Sequence, residues 1–373
     1  MPVPDHAAHL AVRRTVTQAL LDPASVARLS PGELDFTIRV MRRARLLGRL
    51  AWQLREARLL ASLPRTAQDA LTGALVLAEA RARVALWELD RIAWALASES
   101  TVPLVVVKGC AYLLGGLPNA PGRLFADVDL LAPESALSRI ASHLTARDWR
   151  AAELTPYDDN YYRLWMHELA PFAHSEREVE VDLHHNIVMR TARLHPDASL
   201  LIAQARAIPG SRFRVLAPID MVLHATTHLF HGNEMDDAIR ELVDIDELLR
   251  HFSAAEPGFW DRFWSRATEL DLTRPAYYAL RYVQRILGTP VPERVVRASQ
   301  AGAPPSVIVA LMDALVPAAL FPRHPERPER SGALARWLLY VRCHWVRMPP
   351  LMLAKHLAYK FYVRRWPAAA GTH

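Results

Sequence analysis

Two aspartates, Asp127 and Asp129, stand two residues apart in the run Arg123-Leu-Phe-Ala-Asp-Val-Asp-Leu-Leu-Ala, which has the apolar character of a β-strand. Side chains alternate along a strand, so both carboxylates project from one face, about 6.6 Å apart at ~3.3 Å per residue. Left alone they repel each other, and a cation between them relieves the repulsion. Mg²⁺ suits such a pair, with Mn²⁺ as a substitute, because it takes a few carboxylates, waters and phosphate oxygens rather than a complete protein cage. A third carboxylate, Asp182, lies in Glu178-Val-Glu-Val-Asp-Leu-His-His, where Val179, Val181 and Leu183 alternate with Glu180, Asp182 and His184. If this strand neighbours the first, Asp127, Asp129 and Asp182 can together hold two metal ions, an arrangement that activates a hydroxyl for in-line phosphoryl displacement.

The phosphates would meet Lys108-Gly109-Cys110. Leu104 to Val107 is a short β-branched run, and Cys110 to Leu114 opens a helix, so Lys108-Gly109 occupies a strand-to-helix turn. A glycine there lets backbone N–H groups approach an anion, and the helix start and Lys108 add positive charge. Lysine is scarce in this chain: Lys108 is followed only by Lys355 and Lys360, against 42 arginines. Each residue also has a plain structural role: Gly109 closing a turn, Cys110 packing at a helix start, Asp182 facing water, Arg123 tying its loop to the aspartates. It is their order along the chain that points to a nucleoside triphosphate.

The elements that must position these residues divide the chain in three. Residues 1–101 read as helices rich in Ala, Leu and Arg. After Pro64, Thr66 and Asp69 have capping-box spacing ahead of Leu71, Leu75, Ala78, Ala82, Leu86 and Leu89. Residues 102–216 form a small α/β centre, with a helix over 135–147 and strand character from Trp149 to Leu154. Residues 217–373 return to helices punctuated by prolines and glycines. The expected fold class is α+β, a small mixed-sheet core flanked by helical regions.

Composition bounds the rest. The 373 residues are 51% hydrophobic and 23% charged, which excludes disordered and collagenous chains and supplies material for two or three packed units. Two cysteines, Cys110 and Cys343, are too few for a disulfide framework, and neither a signal peptide nor a transmembrane stretch is recognisable. These features lead us to expect a cytoplasmic protein. From Phe321 onward the chain has 10 Lys and Arg against 2 Asp and Glu, so the basic excess is C-terminal and an anionic partner belongs there. Leu353, Leu357 and Phe361 form one stripe of an amphipathic helix in this tail, and His356, Lys360 and Arg364 another, a pattern open to peripheral membrane contact, RNA or simple docking on the body. His224, His228 and His231 have helical spacing but lack Cys or Glu at zinc-ligand distance, so packing or hydrogen bonding near the site is the better reading.

The residues Val105-Val-Val-Lys108-Gly109, Pro121-Gly-Arg123, Asp127-Val-Asp129-Leu-Leu and Val181-Asp182-Leu-His184 resemble the signature of the DNA polymerase β-like nucleotidyltransferase superfamily. They are most similar to bacterial members with Lys-Gly in place of Gly-Ser. The resemblance implies that Asp127 and Asp129 bind both metals, that Asp182 binds the one nearer the acceptor and helps deprotonate its hydroxyl, and that Lys108, Gly109, Cys110 and Arg123 surround the triphosphate. The implied substrate is an NTP, ATP foremost. The implied acceptor is a small molecule or a peptide or protein side chain, with an RNA 3′ end of the toxin-type tRNA-modifying kind as the alternative. A non-catalytic module that retained the fold is the rival from another class, disfavoured by the cost of keeping three like charges.

Overall fold

The computed structural model describes residues 4–232, 235–327 and 330–355. Among the described residues four α-helices precede the sheet: α1 (Pro4–Leu21), α2 (Pro31–Arg43), α3 (Leu47–Glu56) and α4 (Arg65–Ala95). Ser30 starts α2 with a full capping box, its hydroxyl accepting from the Glu33 N–H while the Glu33 carboxylate accepts from the Ser30 N–H. The box expected at Thr66 and Asp69 does not form. Pro64 is the cap residue, so Arg65 is already helical and Thr66 lies inside the first turn. Along the 31 residues of α4, Leu71, Leu75, Ala78 and Leu89 of the expected stripe turn inward, joined by Ile92, whereas Leu86 is 41% exposed.

Among the described residues seven strands then build one mixed sheet: β1 (Val105–Val107), β2 (Asp127–Leu131), β3 (Trp149–Ala151), β4 (Phe172–His174), β5 (Glu180–His184), β6 (Arg206–Ala207) and β7 (Arg214–Val215), in the spatial order β3-β4-β5-β2-β1-β7-β6. The helices within it are α5 (Lys108–Leu114), α6 (Glu134–Thr145), α7 (Pro156–Trp165) and α8 (Ala198–Gln204). β1 is buried along its whole length, which explains why it reads as an unbroken valine run rather than an alternation. β2 runs antiparallel to β1 and parallel to β5, and its register sets Asp129 opposite Asp182. β3 is shorter than the sequence suggests: strand pairing ends at Ala151, and the chain leads away to Thr155, whose hydroxyl caps α7.

The helices that follow among the described residues include α9 (Pro218–Thr227), α10 (Ile239–Ala255), α11 (Phe259–Glu269), α12 (Thr273–Tyr282), α13 (Glu293–Ser299), α14 (Ser306–Leu320) and α15 (Arg330–Arg347), with a π-helical turn, His228–Gly232, after α9. Buried residues from the leading helices, the sheet and the trailing helices form one contiguous core. Among the described residues no single helix is long and apolar enough to cross a membrane. Of the basic tail, residues 350–355 are helical, and the stripes that continue through Leu357, Phe361, Lys360 and Arg364 lie outside the described residues.

The turn-rich loop that carries Arg123 is clamped to α3 by two glycines packed back to back. A Cβ on Gly48 would stand 2.4 Å from the Gly122 carbonyl oxygen, and one on Gly122, whose φ is +73°, would stand 2.3 Å from that of Gly48. Arg49 reinforces the clamp, donating to the Pro118 carbonyl and to Glu247 on α10. Gly122→Ala is expected to cost about 2–4 kcal/mol of stability by urea denaturation, from left-handed strain plus the steric clash. A loss under about 0.5 kcal/mol, the range of neutral surface changes, would show the clamp to be loose.

Candidate active site

The turn after β1 is built on lysine rather than glycine. Lys108 has φ +53°, a left-handed conformation that disfavours side chains, whereas Gly109 does not. The role of Gly109 is close approach: a Cβ there would sit 3.1 Å from Arg123 Nε. From this turn the Lys108 side chain reaches β2, where Nζ donates to Asp129 Oδ1 at 2.6 Å. Strain held at one residue by a strong ionic contact is characteristic of functional positions.

Asp129 is fully buried and its Oδ1 has a second partner, His184 Nε2, at 2.9 Å; His184 Nδ1 in turn lies 3.0 Å from Glu168 Oε2. Burial alone would raise the Asp129 pKa, but Lys108 and His184 outweigh it and hold the carboxyl well below the usual range. Burial likewise opposes charge on His184, yet its two carboxylate partners push it up to about 9, so near neutrality both ring nitrogens carry protons and donate. Glu168 is lowered to about 2 against the effect of burial by the same imidazolium. The Glu168-His184-Asp129 chain thereby fixes the orientation of Asp129 from behind.

Asp182, across from Asp129 on β5, differs in kind. Its Oδ1 is buried without a hydrogen-bond partner among the described residues, and burial together with the Asp129 charge raises its pKa to about 7. Asp129, Asp182 and His184 each bring a potential ligand atom to within 4.8 Å of the others. Both nitrogens of His184 are committed to carboxylates, so the donors left are carboxylate oxygens, one of them orphaned. That set fits a hard divalent cation. Asp127 stands outside this grouping, exposed at the rim of the adjoining cleft, with its backbone carbonyl accepting from the buried Cys110 thiol at 3.2 Å. Cys110 is buried, and burial pushes its pKa up, so it is an inert packing thiol.

Two cavities meet at Lys108. A cleft of about 420 Å³ is lined by Arg45, Lys108, Arg123, Asp127, His228 and Arg240 among others. Arg123 is spent inside it: its guanidinium pairs with Asp244 of α10 and lies 5.3 Å from the Tyr112 ring centre. Arg45 and Arg240 make no ion pair among the described residues and can meet an anion. On the far side a cavity of about 180 Å³ is lined by Tyr161, His167, Glu168, His231 and Arg347. The three spaced histidines thus border the cavities, and among the described residues they belong to no group placed to hold a metal. Burial keeps His224 neutral, burial plus Arg342 and Arg347 lower His231 to about 3, and His228 Nδ1 lies 3.1 Å from Glu241.

Glu168, Arg45, Arg240 and the role of Asp244 escape a reading of the sequence. Glu168 sits in an irregular segment without periodicity and reaches the site through an isolated bridge to His184. The one available signal was His184 itself, on the same strand face as Asp182.

No curated protein matches the chain. The crystal structure of JHP933 from Helicobacter pylori is a distant likeness, with 14% sequence identity over 69% of this chain and 93% of that one and a TM-score of 0.32, too low to carry an argument. A family model described as an uncharacterised nucleotidyltransferase matches residues 30–288, well over half of the chain, and the protein belongs to that nucleotidyltransferase family.

Proposed function

We propose that the protein is a metal-dependent nucleotidyltransferase of the polymerase β-like kind that moves a nucleoside monophosphate from an NTP, ATP foremost, to the hydroxyl of a small molecule or of a peptide or protein side chain. The observation that carries this reading is the in-register pairing of Asp129 with Asp182 beside the Lys108 turn. Asp127, Asp129 and Asp182 would hold Mg²⁺, which when bound neutralises phosphate charge. Lys108, Arg45 and Arg240 bind phosphate oxygens in the larger cleft. Asp182 takes the proton of the acceptor hydroxyl, whose oxygen bonds to the α-phosphorus as the bond to the bridging oxygen breaks and pyrophosphate leaves. Glu168 and His184 keep Asp129 in place. The smaller cavity, at about 180 Å³, falls below the ~300–1,000 Å³ of ordinary ligand pockets and favours a compact acceptor over an RNA end.

Incubation with each α-labelled NTP, Mg²⁺ and cell extract should transfer label, and an Asp127→Ala/Asp129→Ala protein should not. Equal labelling by both would end the enzyme reading. Asp182 must be ionised both to hold Mg²⁺ and to accept a proton, so the rate should rise with pH to a plateau, with a midpoint that falls below 7 as Mg²⁺ is raised. The same raised pKa makes native stability fall as pH climbs from the ordinary value of 3.8 toward 7, because the folded state holds that proton more tightly than the unfolded one. Asp182→Asn should therefore abolish the pH limb while raising stability at pH 8, and a variant with an unchanged rate profile would remove Asp182 from the chemistry.

A further inference from the structure

Helix α15 is built with its charges inside. Arg336 is buried, ion-paired to Asp236 at 2.6 Å and donating to the Phe321 carbonyl, and Arg342 donates to the Phe230 carbonyl at 2.9 Å and lies over the Tyr278 ring. The outward stripe is the apolar one: Leu334, Trp337, Tyr340, Val341 and Trp345 are all exposed, Trp337 by 59% and Leu334 by 58%. An ordinary surface helix has these faces the other way round. α14, packed against α15, exposes Val307, Ile308 and Leu311, and beyond α15 Leu351 is 85% exposed. Large apolar side chains exposed in this number on α15 and its neighbours mark a contact surface.

Charge says what covers it. From Arg330 to His373 the sequence has eight Lys and Arg and not one Asp or Glu. Arg336 and Arg342 are turned inward and add nothing at the face; it is the six other cations of the segment whose repulsion would oppose two copies joined here. The occupant must be anionic. Nucleic acid would use the cations and the aromatic rings but leaves Leu334, Val341 and Leu351 without a function. A lipid surface uses every class present: aliphatic residues enter the acyl boundary, Trp and Tyr sit at the headgroups, and the cations meet anionic phosphates.

We propose that the exposed face of α15, aided by the cations of the sequence that follows it, docks the protein on an anionic phospholipid membrane. The full chain should co-sediment with phosphatidylcholine vesicles containing about 30 mol% phosphatidylglycerol and stay in the supernatant with phosphatidylcholine alone. Brominated acyl chains should quench its tryptophan fluorescence, a readout that needs no variant. Trp337→Ser/Trp345→Ser, two changes at exposed positions outside the candidate active site, should weaken vesicle binding roughly tenfold or more, with circular dichroism unchanged. Failure to sediment with anionic vesicles at low salt would overturn the proposal. So would full binding by the double variant without bromine quenching, which means the basic residues act alone. A dimer by analytical ultracentrifugation that the double variant dissolves, or binding to oligouridylate tighter than to the vesicles and lost in that variant, would overturn it in favour of a second copy or of RNA.

Discussion

Asp129→Asn is expected to reduce nucleotide transfer by about 10³-fold or more while the chain stays folded. In the proposed mechanism several kcal/mol of charge stabilisation would depend on this carboxylate, and each ~1.4 kcal/mol is a factor of ten in rate. Its Oδ1 accepts from both Lys108 and His184, and its neighbour across the sheet is Asp182. An amide keeps the shape and removes the charge, so the electrostatic centre is lost without creating a cavity. The fold tolerates the change because His184 can release its proton and retain its contact with Glu168, while Lys108 still lies near Asp127 and Glu168. Pyrophosphate release, measured beside a far-ultraviolet circular dichroism control, decides the matter. Activity within tenfold of the parent would mean that Asp129 serves the fold rather than the reaction.

Asp244→Ala should be the most destabilising single change around the cleft, at about 3–5 kcal/mol, because it strands the buried guanidinium of Arg123. The effect is asymmetric: replacing both partners with apolar residues of similar size, as in Arg123→Met/Asp244→Leu, should recover most of the loss. Asn119, whose side-chain amide also reaches Asp244 at 3.4 Å, shares in the disruption. Urea denaturation of the two variants provides the comparison, and an Asp244→Ala penalty under about 1 kcal/mol would place this pair among solvent-screened contacts. The pair has a further consequence for function. It joins the loop that carries Arg123 to α10, which also contributes Arg240 to the cleft, so a loosened Asp244 variant should lose phosphate binding along with stability.

These two residues show how differently the parts of the site were written into the chain. Asp129 was legible because its chemistry is local: two aspartates at strand spacing, a valine run ending in Lys-Gly, and an alternating segment with Asp182. Asp244 was not, because nothing within ten residues of it announces a partner 121 positions earlier.

What the sequence alone determined is what periodicity and residue type can encode over a few neighbours. It specified a small mixed sheet between helical regions, the strand faces carrying Asp127, Asp129, Asp182 and His184, and the basic bias of the tail. Three-dimensional packing decided the rest. It set β5 beside β2 in the register that joins Asp129 to Asp182, brought Glu168 behind His184, and moved the left-handed turn from Gly109 to Lys108. It also turned the arginines of α15 inward and its tryptophans out. The physical reason is that a repeat along the chain says which side chains share a face, but which face is buried, and against what, depends on contacts between segments far apart in sequence.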